Sequence, residues 1–459
     1  MKPSIPPGPK GLPLVGSFFE YFQDPTGFVT KIVQQYGPIV HFKLGGQSFY
    51  QLSHPDLIRE VLMTQSKCFE KTGGLQRAKR VIGNGLLSSN GEDHRSQRKM
   101  LMPAFHPEQI NAYAPIMAQY ASEAAESWKN GQTLDLSETI LDITLRITGK
   151  ILLDLDFNAQ ATHQISKDLN VIFEHFTWLF IPITKYLEFL PLPNIRRFKQ
   201  AKDRLDVLIL QCILERKKDK RQREDMLSVL LQLTNEKGAP MSSEQIRNQV
   251  MTLFLAGHET IATALTWTFY CLSQNPEAEA RLHEELNLVL GQRLPSLEDL
   301  PKFEYTRRVF AESMRLYPPV WNLSRKATQD FKAGEYVIPK GSIVGVSQFV
   351  MHRDPKYFPD PLRFDPDRFL PEIANKRPAF AYFPFGAGQR SCIGEYMGWM
   401  EGILILAAIA QKQSLTLNQP QLPALQPRIT LRPKNKILVR IQKKSTQGDF
   451  HASTQTSAS

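Results

Sequence analysis

The chain has 459 residues, 42% of them hydrophobic, which is enough to bury a large core. Without an evident linker, we predict one domain over residues 1–443 and a disordered, solvated tail over residues 444–459. Lys and Arg outnumber Asp and Glu by 56 to 45, but no nucleic-acid-binding motif accompanies this charge, so nucleic acid is not a predicted partner. The four cysteines are far apart and form no C-x-x-C pair, which argues against a disulfide framework or a zinc site.

The N-terminal segment is rich in proline and contains no long apolar run. A secretory signal or an N-terminal membrane anchor needs such a run, so we expect a cytoplasmic protein without a membrane span. Two strands are predicted at residues 39–44 and 48–52, and a helix over residues 55–63. The glycine-rich stretch that follows is typical of a loop over a pocket, or of an ordinary surface connection.

A helix is predicted from about Glu92, and it places His94 and Arg98 on one face because they are four residues apart. Arg95 and Lys99 lie on an adjacent face. Without further motifs, this would be a solvated basic surface.

Long amphipathic helices are predicted between residues 110 and 235. Among them, residues 176–191 form an aromatic and apolar stretch. It is interpreted either as a lid or substrate mouth that also touches a membrane surface, or as core packing, and the two interpretations stay open.

A mostly apolar helix is predicted from Ser242 to Leu272. His258 and Glu259 near its centre argue against a membrane span, and Ala262 replaces the second histidine of an H-E-x-x-H zinc motif. Small residues beside the polar pair Glu259 and Thr260 favour a site facing a small pocket; alternatively, the threonine bonds back to a carbonyl and bends the helix.

Glu312 and Arg315 are three residues apart on a helix that Pro318 and Pro319 end. Residues 320–323 are predicted to enter a strand close to the pocket. Closing strands are predicted at residues 429–432 and 437–441, after a further pocket wall at residues 421–428.

The segment Phe385–Gly394 contains one cysteine in a glycine-rich turn before an apolar helix. A helix N-terminus favours a thiolate at Cys392, the glycines allow close approach of a flat cofactor, and Arg390 offers a charge for an acidic group. Haem fits these parts. A dinucleotide-binding loop is disfavoured because Ser391 replaces the third glycine, and the other alternative is a buried structural cysteine.

This segment resembles the haem-binding signature F-x-x-G-x-R-x-C-x-G of the cytochrome P-450 family. Residues 256–260 match the A-G-x-[DE]-T segment of the same family, Glu312 and Arg315 match E-x-x-R, and residues 364–369 are similar to its P-x-R-F segment. The resemblance spans residues 4–443 and implies a mainly α fold with a small β-sheet region (α+β).

The resemblance implies haem b (iron protoporphyrin IX) with Cys392 as its axial thiolate, and Thr260 with Glu259 managing oxygen and protons. His94 stands where the family commonly has tryptophan in W-x-x-x-R. The resemblance also implies cofactor contacts by His94, Arg98, Ala256, Gly257, Arg325, Phe385, Arg390 and Gly394. It implies a structural charge network formed by Glu312, Arg315 and Arg368. The implied substrate pocket contains Phe254, Val320 and Leu323.

The implied reaction is monooxygenation of a lipophilic small molecule with O2, and a fatty acid is placed slightly ahead of a terpenoid. No flavin or iron–sulfur module fits in the chain, so a separate ferredoxin or flavodoxin with its NAD(P)H reductase is expected, docking near Arg95 and Lys99. Two alternatives stay open: a haem-thiolate peroxygenase or isomerase, and a non-catalytic haem sensor or carrier.

Overall fold

The structure is a computed structural model that describes residues 5–179, 192–219, 221, 223–235, 238–418 and 423–444, with the backbone alone at 80 and 81. The predicted stretch 176–191 is described only as far as Leu179, where a helix ends. The predicted tail lies outside the described residues beyond Lys444, and so do the first residues of the proposed pocket wall at 421–428.

Helices make up most of the described chain. In order, they are α1 Phe18–Gln23, α2 Pro25–Tyr36, α3 Pro55–Arg59, α4 Gly73–Arg77, α5 Lys79–Ile82, α6 Gly91–Leu101, α7 Pro107–Asn111, α8 Ala114–Ser127, α9 Leu136–Leu153, α10 Ala159–Leu179, α11 Pro193–Lys218, α12 Met226–Gln232, α13 Ser243–Ser273, α14 Pro276–Leu290, α15 Glu304–Leu316, α16 Gln348–Met351, α17 Pro371–Ala374 and α18 Glu395–Lys412.

The strands are short and lie in small sheets. They are β1 Ile39–Leu44, β2 Gln47–Leu52, β3 Phe69–Lys71, β4 Thr133–Asp135, β5 Leu323–Ala327, β6 Phe331–Ala333, β7 Tyr336–Ile338, β8 Ile343–Val346, β9 Gln413–Leu417, β10 Leu425–Pro427, β11 Leu431–Pro433 and β12 Leu438–Lys443. One sheet has the order β1-β2-β8-β5-β3, in which only β2 and β8 are parallel. The mainly α prediction with a small sheet region is therefore confirmed.

The long helix α13 crosses the core, and most of its residues are buried. Its start is fixed by a capping box, in which the Ser242 side chain accepts from the Gln245 N–H and the Gln245 side chain accepts from the Ser242 N–H. It packs against α9, α15 and α18, so it can carry side chains to the centre of the protein. Among the helices of the described chain, we find none with the length and apolar character needed to cross a membrane.

Three local predictions differ from the structure. The predicted helix over residues 55–63 is divided into α3 and a π-helical turn at Glu60–Thr64. The glycine-rich stretch after it contains the short helices α4 and α5. The strand expected at residues 320–323 begins only at Leu323, because the prolines before it hold the chain outside the sheet and the ladder partners of β5 start there.

Candidate active site

The cysteine loop is a tight turn that leads into a helix. A 3-10 turn at Gly388–Arg390 comes first, the Cys392 N–H donates to the Phe385 carbonyl at 2.9 Å, and α18 begins three residues later. Gly388 has a φ of 69°, and a Cβ there would lie 2.1 Å from the Leu62 carbonyl oxygen. Only glycine fits this turn, so the local sequence fixes where the thiol is presented.

Cys392 is an exposed residue, yet the surrounding protein shifts the pKa of its thiol. Desolvation raises the pKa of its thiol, while the Gly394 N–H and the Arg98 charge lower the pKa. These two groups do not offset the desolvation. A stable thiolate here therefore needs a further positive partner, as a coordinating metal ion would be.

Five basic residues lie close together beside the loop: Lys71, His94, Arg98, Arg325 and Arg390. Burial, followed by the charges of its basic neighbours, lowers the pKa of Lys71 to about 6 and that of His94 to about 3, and burial and Arg390 lower the pKa of Arg325 to about 10. Within the described ranges, none of the five forms an ion pair with a carboxylate. Such a cluster fits an anionic group with two carboxylates, as haem has.

The cluster is held by backbone and side-chain oxygens. Arg98 donates to the Ser391 carbonyl at 2.8 Å, and so ties α6 to the cysteine loop. Arg390 donates to the Asn90 side chain at 3.0 Å. Lys71, which sequence reasoning missed, donates to the carbonyls of Leu86 and Leu87.

In the long helix α13, most of whose residues are buried, Ala256 is exposed although it lies near the middle. Thr260, one turn later, donates its hydroxyl hydrogen to the Ala256 carbonyl at 2.8 Å. A Cβ at Gly398 of α18 would lie 3.5 Å from Ile261 Cδ1, so the cysteine helix and the Thr260 turn are neighbours. Gly257 faces α9, because a Cβ added at this residue would lie 3.7 Å from the Thr148 side chain of α9.

The side chains of Glu259 and Thr260 have different hydrogen-bond partners. The Glu259 carboxylate accepts from Arg432 Nε at 2.6 Å and from the Thr430 hydroxyl, both next to or within the hairpin β10–β11. Arg432 in turn donates to Asn170 of α10 at 2.9 Å. The acid of the motif is thus held in a buried ion pair that joins three elements.

The three predicted pocket residues are not all together. A Cβ at Gly386 would lie 3.5 Å from Leu323 Cδ1, which places Leu323 beside the cysteine loop. Val320 is partly buried and precedes β5. Phe254 is fully buried in the core, with its ring 6.2 Å from that of His258.

The predicted charge network is complete. Arg315 donates to both carboxylate oxygens of Glu312 at 2.6 and 2.7 Å, and Arg368 Nε lies 3.5 Å from the same carboxylate. Arg315 also donates to the His352 carbonyl at 2.8 Å, and His352 Nε2 accepts from the Phe383 N–H at 3.0 Å. The network therefore reaches the segment directly before the cysteine loop.

Comparison with known proteins agrees with this geometry. Residues 6–440 match the family described as Cytochrome P450. The chain is 40% identical to cyclooctatin synthase of Streptomyces melanosporofaciens, with 88% of each chain covered. It is 32% identical to pentalenene oxygenase of Streptomyces avermitilis, over 89% of this chain and 91% of that protein.

Two further relatives extend the comparison. Cyclooctat-9-en-7-ol 5-monooxygenase of Streptomyces melanosporofaciens is 35% identical over 89% of this chain and 88% of that protein. The solved structure of retinoic acid bound cyanobacterial CYP120A1 superposes with a TM-score of 0.86 at 28% identity, covering 97% of this chain and 100% of that one. A match over nearly the whole chain, with a cysteine loop and a cationic cluster suited to haem, shows that this chain belongs to the cytochrome P450 family of haem-thiolate monooxygenases.

Proposed function

We propose that Cys392 is the axial thiolate of haem b and that His94, Arg98, Arg325, Arg390 and Lys71 hold the haem carboxylates. The observation that carries this assignment is the cationic cluster without a paired carboxylate in the described chain, directly beside an exposed cysteine. Phe385 and Gly394 shape the loop, and Ala256 leaves space opposite it. When bound, haem supplies the iron at which O2 is activated.

A cysteine replacement tests the assignment. In Cys392→Ser the thiolate-type haem absorption should be lost, whereas Cys271→Ser, which changes a buried cysteine elsewhere, should keep it. Retention of that spectrum in Cys392→Ser contradicts the assignment.

Thr260 and Glu259 are proposed to deliver protons on the oxygen side. The Thr260 hydroxyl gives its hydrogen to the Ala256 carbonyl, so its oxygen keeps lone pairs that can accept from a water in the space beside Ala256. Glu259 is the nearest acid along the helix and carries a negative charge held by Arg432. A proton that reaches this carboxylate can pass to water beside Thr260.

The substrate is proposed to be a terpenoid rather than a fatty acid. Support comes from the names of the relatives, which specify cyclooctat-9-en-7-ol and pentalenene, and from the retinoic acid complex. These are compact or stiff molecules made mostly of hydrocarbon. Leu323, beside the cysteine loop, would contact such a substrate, and Val320, three residues before it in the chain, is proposed as a second contact.

A titration of haem absorption distinguishes the two substrate classes. Cyclic terpenes, retinoids and saturated fatty acids are added separately to the purified holoenzyme, and the change of spin state is followed. A saturable shift with terpenoids, together with a product heavier by one oxygen atom in mass spectrometry, supports the proposal. A shift with fatty acids alone contradicts it, and turnover with peroxide but never with an electron donor and O2 would favour a peroxygenase.

The electron donor is proposed to be a cytoplasmic ferredoxin or flavodoxin with its NAD(P)H reductase, docking at the exposed face of α6. Arg98 of this helix touches the cysteine loop, so Arg95 and Lys99 lie within a helix diameter of it. Arg95→Glu with Lys99→Glu should slow haem reduction by the donor. The control pair Lys332→Glu with Lys340→Glu makes the same charge change in the β6–β7 region and should not.

A further inference from the structure

A narrow cleft leads from the surface to the ion pair that holds Glu259. Its volume is about 200 Å³. Ala262, Thr263 and Thr266 of α13 line one side, and Arg432 lines the same cleft. Because Ala262 and Thr263 follow Glu259 by three and four residues, this side begins one helical turn from the carboxylate.

The outer end of the cleft is polar and ionisable. Lys434, Asn435 and Lys436 line it and are exposed. Lys436 Nζ lies 3.5 Å from Asp135 Oδ2 and 3.8 Å from Glu138 Oε2. Groups of this kind exchange protons with bulk water.

Three buried polar atoms along this line have no hydrogen-bond partner in the part of the chain that the structure describes: Ser137 Oγ in the cleft wall, Arg432 Nη2 and Glu259 Oε2. Buried polar atoms are nearly always bonded to protein or to ordered water. A water molecule occupies about 30 Å³, so a polar cleft of this size has room for several. Water in the cleft would satisfy Ser137 and Arg432 directly.

Arg432 separates this water from the acid. Arg432 lines the cleft and its side chain is 18% exposed, whereas Glu259 is not in the lining and its side chain is 3% exposed, so the guanidinium is the part of the ion pair that faces the cleft. A guanidinium stays protonated and cannot relay a proton itself. We propose that the cleft is the proton inlet of the enzyme and that Arg432 is the positioning residue that admits or excludes its water at Glu259.

The transfer balances without any other reactant. When the guanidinium withdraws from one carboxylate oxygen, a cleft water donates a proton to Glu259 and regains one from bulk water through the mouth. Glu259 then releases its proton towards Thr260, and the carboxylate and its ion pair are restored. This inference rests on the proton-delivery role proposed for Glu259 and Thr260.

Chemical labelling tests whether water fills the cleft in the holoenzyme. Thr263→Cys places a thiol in the cleft, and Thr268→Cys places one on the same helix at a fully buried position outside the lining. With 2-aminoethyl methanethiosulfonate, peptide mass spectrometry should show labelling of the first at least about tenfold faster than of the second. Equal, slow labelling of both overturns the proposal.

Filling the cleft tests its role. Ser137→Phe should slow turnover at least about threefold and raise the solvent deuterium isotope effect, while the rate of the first haem reduction stays unchanged. Combined with Thr263→Cys, it should also slow the labelling of that thiol. Ser137→Ala is the control and should resemble the parent. NAD(P)H consumption without added substrate gives the same comparison, so an incorrect substrate class does not affect it. Unchanged turnover and isotope effect in Ser137→Phe, with labelling abolished, overturn the inlet.

Discussion

Lys71 and Arg325 lie directly opposite each other on the antiparallel strands β3 and β5, at the edge of the five-stranded sheet. Burial lowers the pKa of both side chains, and the charge of Arg390 lowers both further, with Arg325 adding to the effect on Lys71. Like charges directly opposite each other in a ladder are unfavourable. The adjacent pair on the same strands, Glu70 and Lys326, has opposite charges with 3.4 Å between Nζ and Oε1. The sheet edge therefore has one neutralised pair and one pair that an anion would stabilise.

We expect Lys71→Met to weaken haem retention. A hydrogen bond to a charged group is worth about 1.5–3 kcal/mol, which corresponds to haem loss about tenfold to a hundredfold faster. The measurement is haem transfer from the enzyme to excess apomyoglobin.

Lys326→Met is the matched control for that experiment, because it removes a cation from the neighbouring position of the same ladder. Its transfer rate should stay close to that of the parent. If both variants lose haem equally fast, general weakening of the sheet edge explains the result, and Lys71 has no direct role.

The family motifs predicted the cysteine loop, the arginines beside it and the Glu312 network from the sequence, since each depends on residues with a fixed local spacing. Lys71 carried no such signal. It ends a three-residue strand whose partner lies more than 250 residues later in the chain, and only that register brings its ammonium beside Arg325. Long-range pairing of short strands is what one sequence does not reveal.

The residues that contact Glu259 could not be predicted from the sequence either. Closing strands were predicted near Arg432, but not which side chain of the hairpin would turn towards α13. Side chains alternate across a strand, so a shift of one residue would have presented a different residue to the acid. Phe254 shows the same limit on a helix, because helical periodicity does not tell a pocket-facing position from a core position beside His258.

Thr260→Val should separate electron consumption from product formation. The valine keeps the shape of threonine but cannot accept from water, so proton delivery becomes imprecise and more O2 is reduced to peroxide. We expect product per NAD(P)H consumed to fall several-fold, measured by product quantification with parallel peroxide determination. Thr260→Ser should restore most of the yield, and a serine variant as defective as the valine variant would indicate a packing role.

Glu312→Gln should strongly destabilise the protein. Arg315 is fully buried and loses its only carboxylate partner in the described chain, and breaking such a buried pair costs about 3–5 kcal/mol. The free energy of unfolding is measured by urea denaturation. Glu92→Gln is the control, since its ion pair with Arg95 is exposed and contributes about 0–1 kcal/mol. Equal, small losses in both variants would contradict a structural role for the network.

His352 should make the stability fall as the pH is lowered. It is fully buried and its Nε2 accepts from the Phe383 N–H, and burial, followed by the charges of Arg315 and Arg353, holds its pKa well below 6.5. Below pH 6.5 the unfolded chain binds a proton at this residue that the folded protein does not. The free energy of unfolding then falls by up to about 1.4 kcal/mol per pH unit through this one group, while above pH 6.5 its contribution is fully present.

His352→Gln isolates that contribution, because the glutamine oxygen can accept from the same N–H but does not titrate. Urea denaturation of both proteins at pH 7.5, 6.5 and 5.5 should give equal pH dependence above 6.5 and a shallower decline for the variant below it. The other histidines with a lowered pKa, among them His94 and His283, are common to both proteins and cancel in the comparison. Parallel curves across the whole range would mean that His352 is not forced to stay neutral by the fold, and that its bond to Phe383 does not depend on pH in this interval.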